Sequence, residues 1–241
     1  MRIAAAAVVL VILPLSGCFG GSHHVTPGDY LTGTYGKWLV EVDAASGDRP
    51  DTSLTTFLHD HLAPLVNKPN GVAFYNDDAL TSTDASWSDS QIEDFASAHS
   101  SFSTGGDQVV THLMFLAGHY AGDSGSAKVL GVTYDYDLIV IFPQTIKSTC
   151  TLQNLCTDSG SILRAATLHE FGHALGLVNR GTDMVHPHED ASHAGHSTNN
   201  KSVMYWAVES SDIVNLLTTG GTIPQDFDSS DKEDLHHAGG L

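Results

Sequence analysis

The chain has 241 residues and a formal net charge of −18, with 28 acidic residues against 10 lysines and arginines. Such a surface repels phosphate backbones and anionic lipid, so no nucleic-acid partner is expected. The length suits one domain with a substantial hydrophobic core, and no internal repeat interrupts it.

In chain order, Arg2 and the apolar stretch Ile3 to Leu15 read as an export signal, too short to span a bilayer comfortably. Leu15-Ser16-Gly17-Cys18 resembles the lipobox of prokaryotic lipoproteins. That likeness implies a signal peptide over 1–17 and a lipid on the Cys18 thiol, and hence a membrane anchor. The alternative is an ordinary secretory signal cut a few residues later. Either reading places the domain outside the cytoplasm, lipid-anchored or secreted, and separately a monomer is expected. Residues 18–36, rich in Gly, Ser and Thr, read as a flexible tether, leaving 37–241 as the folded domain.

Lys37 to Asp43 alternates as a first strand. Ser53 to Val66 carries Leu54, Phe57, Leu58, Leu62 and Leu65 at helical spacing, with Ser53 as the N-cap. Gly71 to Tyr75 reads as a strand and Ser88 to Phe102 as a helix. Three more strands follow at Val109 to Ala117, Val129 to Tyr134 and Leu138 to Phe142, the last a buried run ended by Pro143. Cys150 and Cys156 suit a disulfide closing a small loop in an oxidising compartment. A helix from about Ser161 to Leu177 comes next, and Asp226 to His237 reads as a terminal helix with an acidic first turn. The pattern predicts an α+β fold, a twisted mixed sheet with helices stacked on it.

The chemistry is concentrated in His169-Glu170-Phe171-Gly172-His173-Ala174-Leu175-Gly176. On a helix, His169 and His173 stand one turn apart and can share a metal ion, zinc being the ion this pattern suits. Glu170 then lies beside the metal, placed to take a proton from water. Gly172 and Ala174 allow close packing, and Gly176 can end the helix in a left-handed turn. Downstream comes Ser202-Val203-Met204-Tyr205-Trp206.

Together these residues resemble the metzincin clan of zinc endopeptidases, with its HExxHxxGxxH helix and Met-turn, and the helix itself is similar to that of the matrixins. The resemblance implies a metzincin-like domain with an active-site helix, one catalytic zinc, Met204 beneath the ligands, and a protein or peptide substrate. It also implies an edge strand, best matched by Val129 to Tyr134, that binds an extended peptide. The sequence departs from the clan at the third ligand, where Asn179 replaces histidine. His196 stands at the third-ligand position of an archaemetzincin-like spacing, His196-Ser197-x4-Ser202-x-Met204, with 177–195 as an insertion. Asn179 and His186, His188 and His193 are the alternatives. A polar solvated loop, or a second metal held with Glu189 and Asp190, is the other reading of this His-rich stretch.

His112 reads as a satisfied core residue, and His119 near Asp123 as a candidate structural metal position. His59, His61, His236 and His237 read as surface residues. Structural calcium, frequent in the clan, or a second zinc has no assigned ligands. Two other classes compete with the endopeptidase. One is a non-proteolytic binding lipoprotein, suggested by Asn179. The other is a gluzincin-type peptidase with Glu209 as third ligand.

Overall fold

The computed structural model describes residues 24–81, 84–123, 127–153 and 159–241. The expected signal peptide, Cys18 and Cys156 lie outside the described residues, and with them the lipid site and the Cys150–Cys156 bridge.

The elements run α1 (Pro27–Leu31), β1 (Lys37–Ala45), α2 (Thr52–Leu62), β2 (Val72–Leu80), β3 (Ser86–Trp87) and α3 (Asp89–His99). Then come β4 (Gln108–Phe115), β5 (His119–Tyr120), β6 (Gly131–Tyr134), β7 (Leu138–Ile141), α4 (Pro143–Gln153) and α5 (Ser159–Ala174). The C-terminal part holds a 3-10 turn at Trp206–Glu209, another at Ser211–Ile213, then α6 (Val214–Thr218) and α7 (Ser229–His237).

This is an α+β fold built on a mixed five-stranded sheet in the order β2-β1-β4-β7-β6. Strands β2, β1, β4 and β7 are parallel, and β6 is antiparallel at the edge. Strands β1, β4 and β7 are buried almost throughout, whereas β2, at the far edge, is largely exposed between Tyr75 and Ala79. On one face Trp38, Val40, Val42, Leu113 and Ile139 join the large core with α2 and α5. On the other, Met114, Val140 and Phe142 pack with Trp87, Ile92 and Ala96 around α3. Among the described residues no helix is long and apolar enough to cross a membrane.

Residues 24–36 depart from the expected tether. Val25, Tyr30 and Leu31 are each at most 1% exposed. The Tyr30 ring lies 4.7 Å from Trp38, and its hydroxyl donates to the Tyr136 carbonyl at 3.0 Å. Lys68, itself buried, donates to the carbonyls of Asp29 (2.6 Å), Thr32 (2.6 Å) and Tyr35 (3.1 Å). Composition suggested a linker, but two large apolar side chains and a buried lysine pin the segment. Helix α2 is capped by Asp51, whose carboxylate accepts from the Ser53 and Leu54 amides, so Ser53 is not the N-cap.

Helix α5 is the central element. Every residue from Ala165 to Ala174 is buried, so its sequence lacks an amphipathic stripe. It ends where Gly176 takes φ +73°, with Leu177 N–H on Gly172 O (3.0 Å) and Gly176 N–H on His173 O (3.0 Å). A Cβ there would sit 2.6 Å from Pro27 and 2.8 Å from the Thr182 amide, so both conformation and space call for glycine.

Candidate metal centre

The buried C-terminal turns of α5 point His169 and His173 at one spot, with ring centroids 4.6 Å apart. His196 arrives from the loop after the helix, 5.2 Å from the His169 ring and 5.1 Å from His173. The three residues are at most 6% exposed, and none of their Nε2 atoms makes a hydrogen bond. Buried nitrogens left bare in this way are anomalous unless a ligand fills the space between them. One nitrogen from each ring and one Glu209 carboxylate oxygen lie within 4.8 Å of one another. This donor set suits zinc.

The Met-turn organises two of the three rings. The Val203 carbonyl accepts from His169 Nδ1 at 2.7 Å, which fixes the ring and turns its bare Nε2 inward. The Met204 carbonyl accepts from the Ser197 amide at 2.8 Å, positioning the residue next to His196. Met204 is fully buried directly beneath α5, and a Cβ on Gly172 would collide with its sulfur. The turn is itself tied to α7. Ser202 Oγ accepts from the Met204 amide at 2.9 Å and donates to the buried carboxylate of Asp231.

Glu170 stands apart from the ring cluster. Its Oε2 accepts from the Thr133 hydroxyl of β6 at 2.8 Å, while Oε1 is buried without a partner. Gly131 leaves room for it, since a Cβ there would lie 2.8 Å from Glu170 Cγ. Burial, and then the charge of Glu209, push the Glu170 carboxyl up to about 8. Burial and the neighbouring His169 drive His173 well below its usual range, which keeps it a neutral, ligand-competent ring.

Asn179, the alternative third ligand, is outside the cluster. It takes a left-handed φ of 63°, and its amide reaches Glu189 at 3.4 Å. The other loop histidines face elsewhere. His186 lies 3.9 Å from Glu233, His188 sits against Asp231 and Asp234, and His193 stacks on Trp206 at 4.2 Å. Glu189 accepts the Gly195 amide and Asp190 pairs with His193, and neither belongs to a metal-competent group among the described residues. His59, His236 and His237 are exposed, whereas His61 is half-buried against the Phe57 carbonyl.

A second acidic group, Glu41, Asp43 and His112, is buried on β1 and β4. Its donors are already satisfied. Asp43 takes His112 Nε2 (2.8 Å) and the Asp78 amide (2.7 Å), and Glu41 takes the Ser101 (2.7 Å) and Phe102 (3.3 Å) amides. His119 is exposed, and Asp123 caps the Val129 amide and faces Lys128. Sequence reading missed Thr133 and Gly131 as supports of Glu170, because neither type is diagnostic alone. The one available signal was a glycine opening an alternating strand.

Fold and site together define an α+β domain in which three convergent imidazoles lie between a helix, a loop and a sheet edge, with a buried glutamate alongside. No protein-family model, curated protein or solved structure matches this chain.

Proposed function

We propose that the protein is a zinc-dependent endopeptidase of metzincin type, acting outside the cytoplasm, with His169, His173 and His196 as metal ligands and Glu170 as general base. The observation that carries this reading is the trio of buried, unpartnered Nε2 atoms beside a glutamate whose Oε1 is equally unpartnered. Zinc held there would polarise a peptide carbonyl and acidify water. The chain's own groups account for the rest. Glu170 Oε1 takes the proton of the attacking water and returns it to the leaving amine, while Thr133 holds Oε2 and so fixes which oxygen is free. Strand β6, at the edge of the sheet and bearing Thr133, offers main-chain groups to an extended peptide. The lipid anchor at Cys18 is part of the same proposal.

The test is hydrolysis of a mixed fluorogenic peptide library by the zinc-loaded protein, with Glu170→Ala beside it. Turnover that a chelator abolishes, that zinc restores and that Glu170→Ala lacks supports the peptidase. A folded, zinc-loaded protein that cleaves nothing, or a Glu170→Ala variant that cleaves equally well, overturns it.

A further inference from the structure

We propose that Glu209 is a fourth, displaceable protein ligand that closes the metal site at rest. The proposal rests on the three-histidine reading above. Glu209 Oε2 lies 3.1 Å from His196 Nε2, 3.8 Å from His169 Nε2 and 4.0 Å from His173 Nε2. Donors bound tetrahedrally at zinc-like bond lengths stand about 3.3 Å apart, and the observed separations bracket that value. The carboxylate would therefore take the place that three histidine ligands leave open.

An ordinary ion pair explains this arrangement poorly. His169 already spends its Nδ1 proton on the Val203 carbonyl, so in the neutral ring the Nε2 lone pair faces the Glu209 oxygen. At His169 the two lone pairs therefore face each other across 3.8 Å, and none of the three Nε2 atoms hydrogen-bonds to the carboxylate. A cation among the four donors resolves the conflict.

The attachment of Glu209 separates a fixed backbone from a movable side chain. Its carbonyl accepts from the Leu130 amide at 2.8 Å, and the Ser211 amide donates to the Lys128 carbonyl at 2.8 Å. Ala207 and Val208 are buried on the same turn. The Glu209 side chain, however, is 41% exposed. Rotation of the side chain alone can withdraw the carboxylate, with no segment unfolding. The turn is clamped to the chain just ahead of β6, so a peptide running along that edge meets the carboxylate at the metal. Substrate binding and opening of the site are then one event.

The experiment uses the full chain loaded with cobalt(II), whose visible spectrum reports ligand number and identity. Acetohydroxamate, a small anionic chelator, is titrated into wild type, Glu209→Ala, Glu209→Gln and His196→Ala. The expected result is equimolar cobalt in both Glu209 variants and a spectrum changed from wild type. Acetohydroxamate should also bind them about tenfold tighter or more, because the closed state no longer competes. Identical spectra and affinities in wild type and both Glu209 variants overturn the proposal, as does loss of cobalt from both. Failure of the underlying reading looks different, since wild type would then show no cobalt spectrum or His196→Ala would leave that spectrum unchanged.

Discussion

Asp231→Asn isolates one interaction that holds the Met-turn in place. Asp231 is fully buried, and its Oδ2 accepts from Ser202 Oγ and from the Asp228 amide at 3.0 Å. Its Oδ1 lies 3.4 Å from His188 Nε2, with Asp234 Oδ2 at 3.6 Å on the same ring nitrogen. Mainly through Asp231, the His188 ring is raised from 6.5 to about 9. A ring raised in the folded state adds stability that is complete below pH 6.5 and disappears as the pH climbs through about 9. Between dry partners that displacement would correspond to ~3 kcal/mol. One edge of the ring meets solvent and Asp234 remains, so we expect a loss of about 1–2 kcal/mol. Asparagine keeps an acceptor for Ser202 and Asp228, so the loss should appear near pH 6 and largely vanish near pH 10. Urea unfolding of wild type and variant at both pH values, with chelator present to remove metal linkage, measures it. Equal losses at the two pH values would refute the charge argument and leave only packing.

His196→Ala should weaken zinc binding by more than about 100-fold, beyond the usual effect of an outer-shell change, whereas Asn179→Ala should leave it within about threefold. Competition against a chromophoric chelator distinguishes the two. Gly172→Ala should lower stability by about 1–3 kcal/mol, because the new methyl meets the Met204 sulfur and the Phe227 ring at 2.9 Å. Denaturant midpoints check this, and an unchanged midpoint would mean that Met204 gives way freely. Lys68→Met should cost about 2–3 kcal/mol by stranding the carbonyls of Asp29, Thr32 and Tyr35. It should also speed proteolytic cleavage between residues 24 and 36, and unchanged cleavage would contradict the clamp.

The parts legible in the sequence were those governed by short-range spacing. The turn-apart histidines, the glycine at 176 and the strands β1, β4 and β7 all follow from local periodicity or conformational need. A place for Met204 beneath the site is implied only by family resemblance and its contact with Gly172 is not encoded locally, and α4 goes unread because Pro143 to Gln153 show only weak apolar periodicity. Residues 24–36 misled because Gly, Ser and Thr dominate the count while Tyr30 and Leu31 carry the burial. The choice of His196 over its neighbours depends on how the loop folds back to the Met-turn, which no local pattern encodes. Glu209 was visible as a ligand candidate. Its place as a fourth donor beside three histidines arises only when the 3-10 turn docks against residues 128–130.

The long stretch between Gly176 and His196 bears on how this domain can vary. A chain that supplied its third ligand six residues after His173 would close a very short loop, whereas here the closure spans 23 positions. For a flexible chain the difference amounts to only about 1 kcal/mol, because the cost grows with the logarithm of length. The loop lowers even that cost by folding on itself. The Asp190 amide reaches the His196 carbonyl at 2.7 Å, and the Gly195 amide reaches Glu189 at 2.7 Å. His196 is thus delivered by a loop that folds partly on itself and is held to the domain where the Ser197 amide meets the Met204 carbonyl, the Val185 amide meets Asp234 and His188 faces Asp231. Changes of length around the exposed Ala191 and Ser192 would leave His196 held by its own anchors, so this is the natural place to graft an affinity tag.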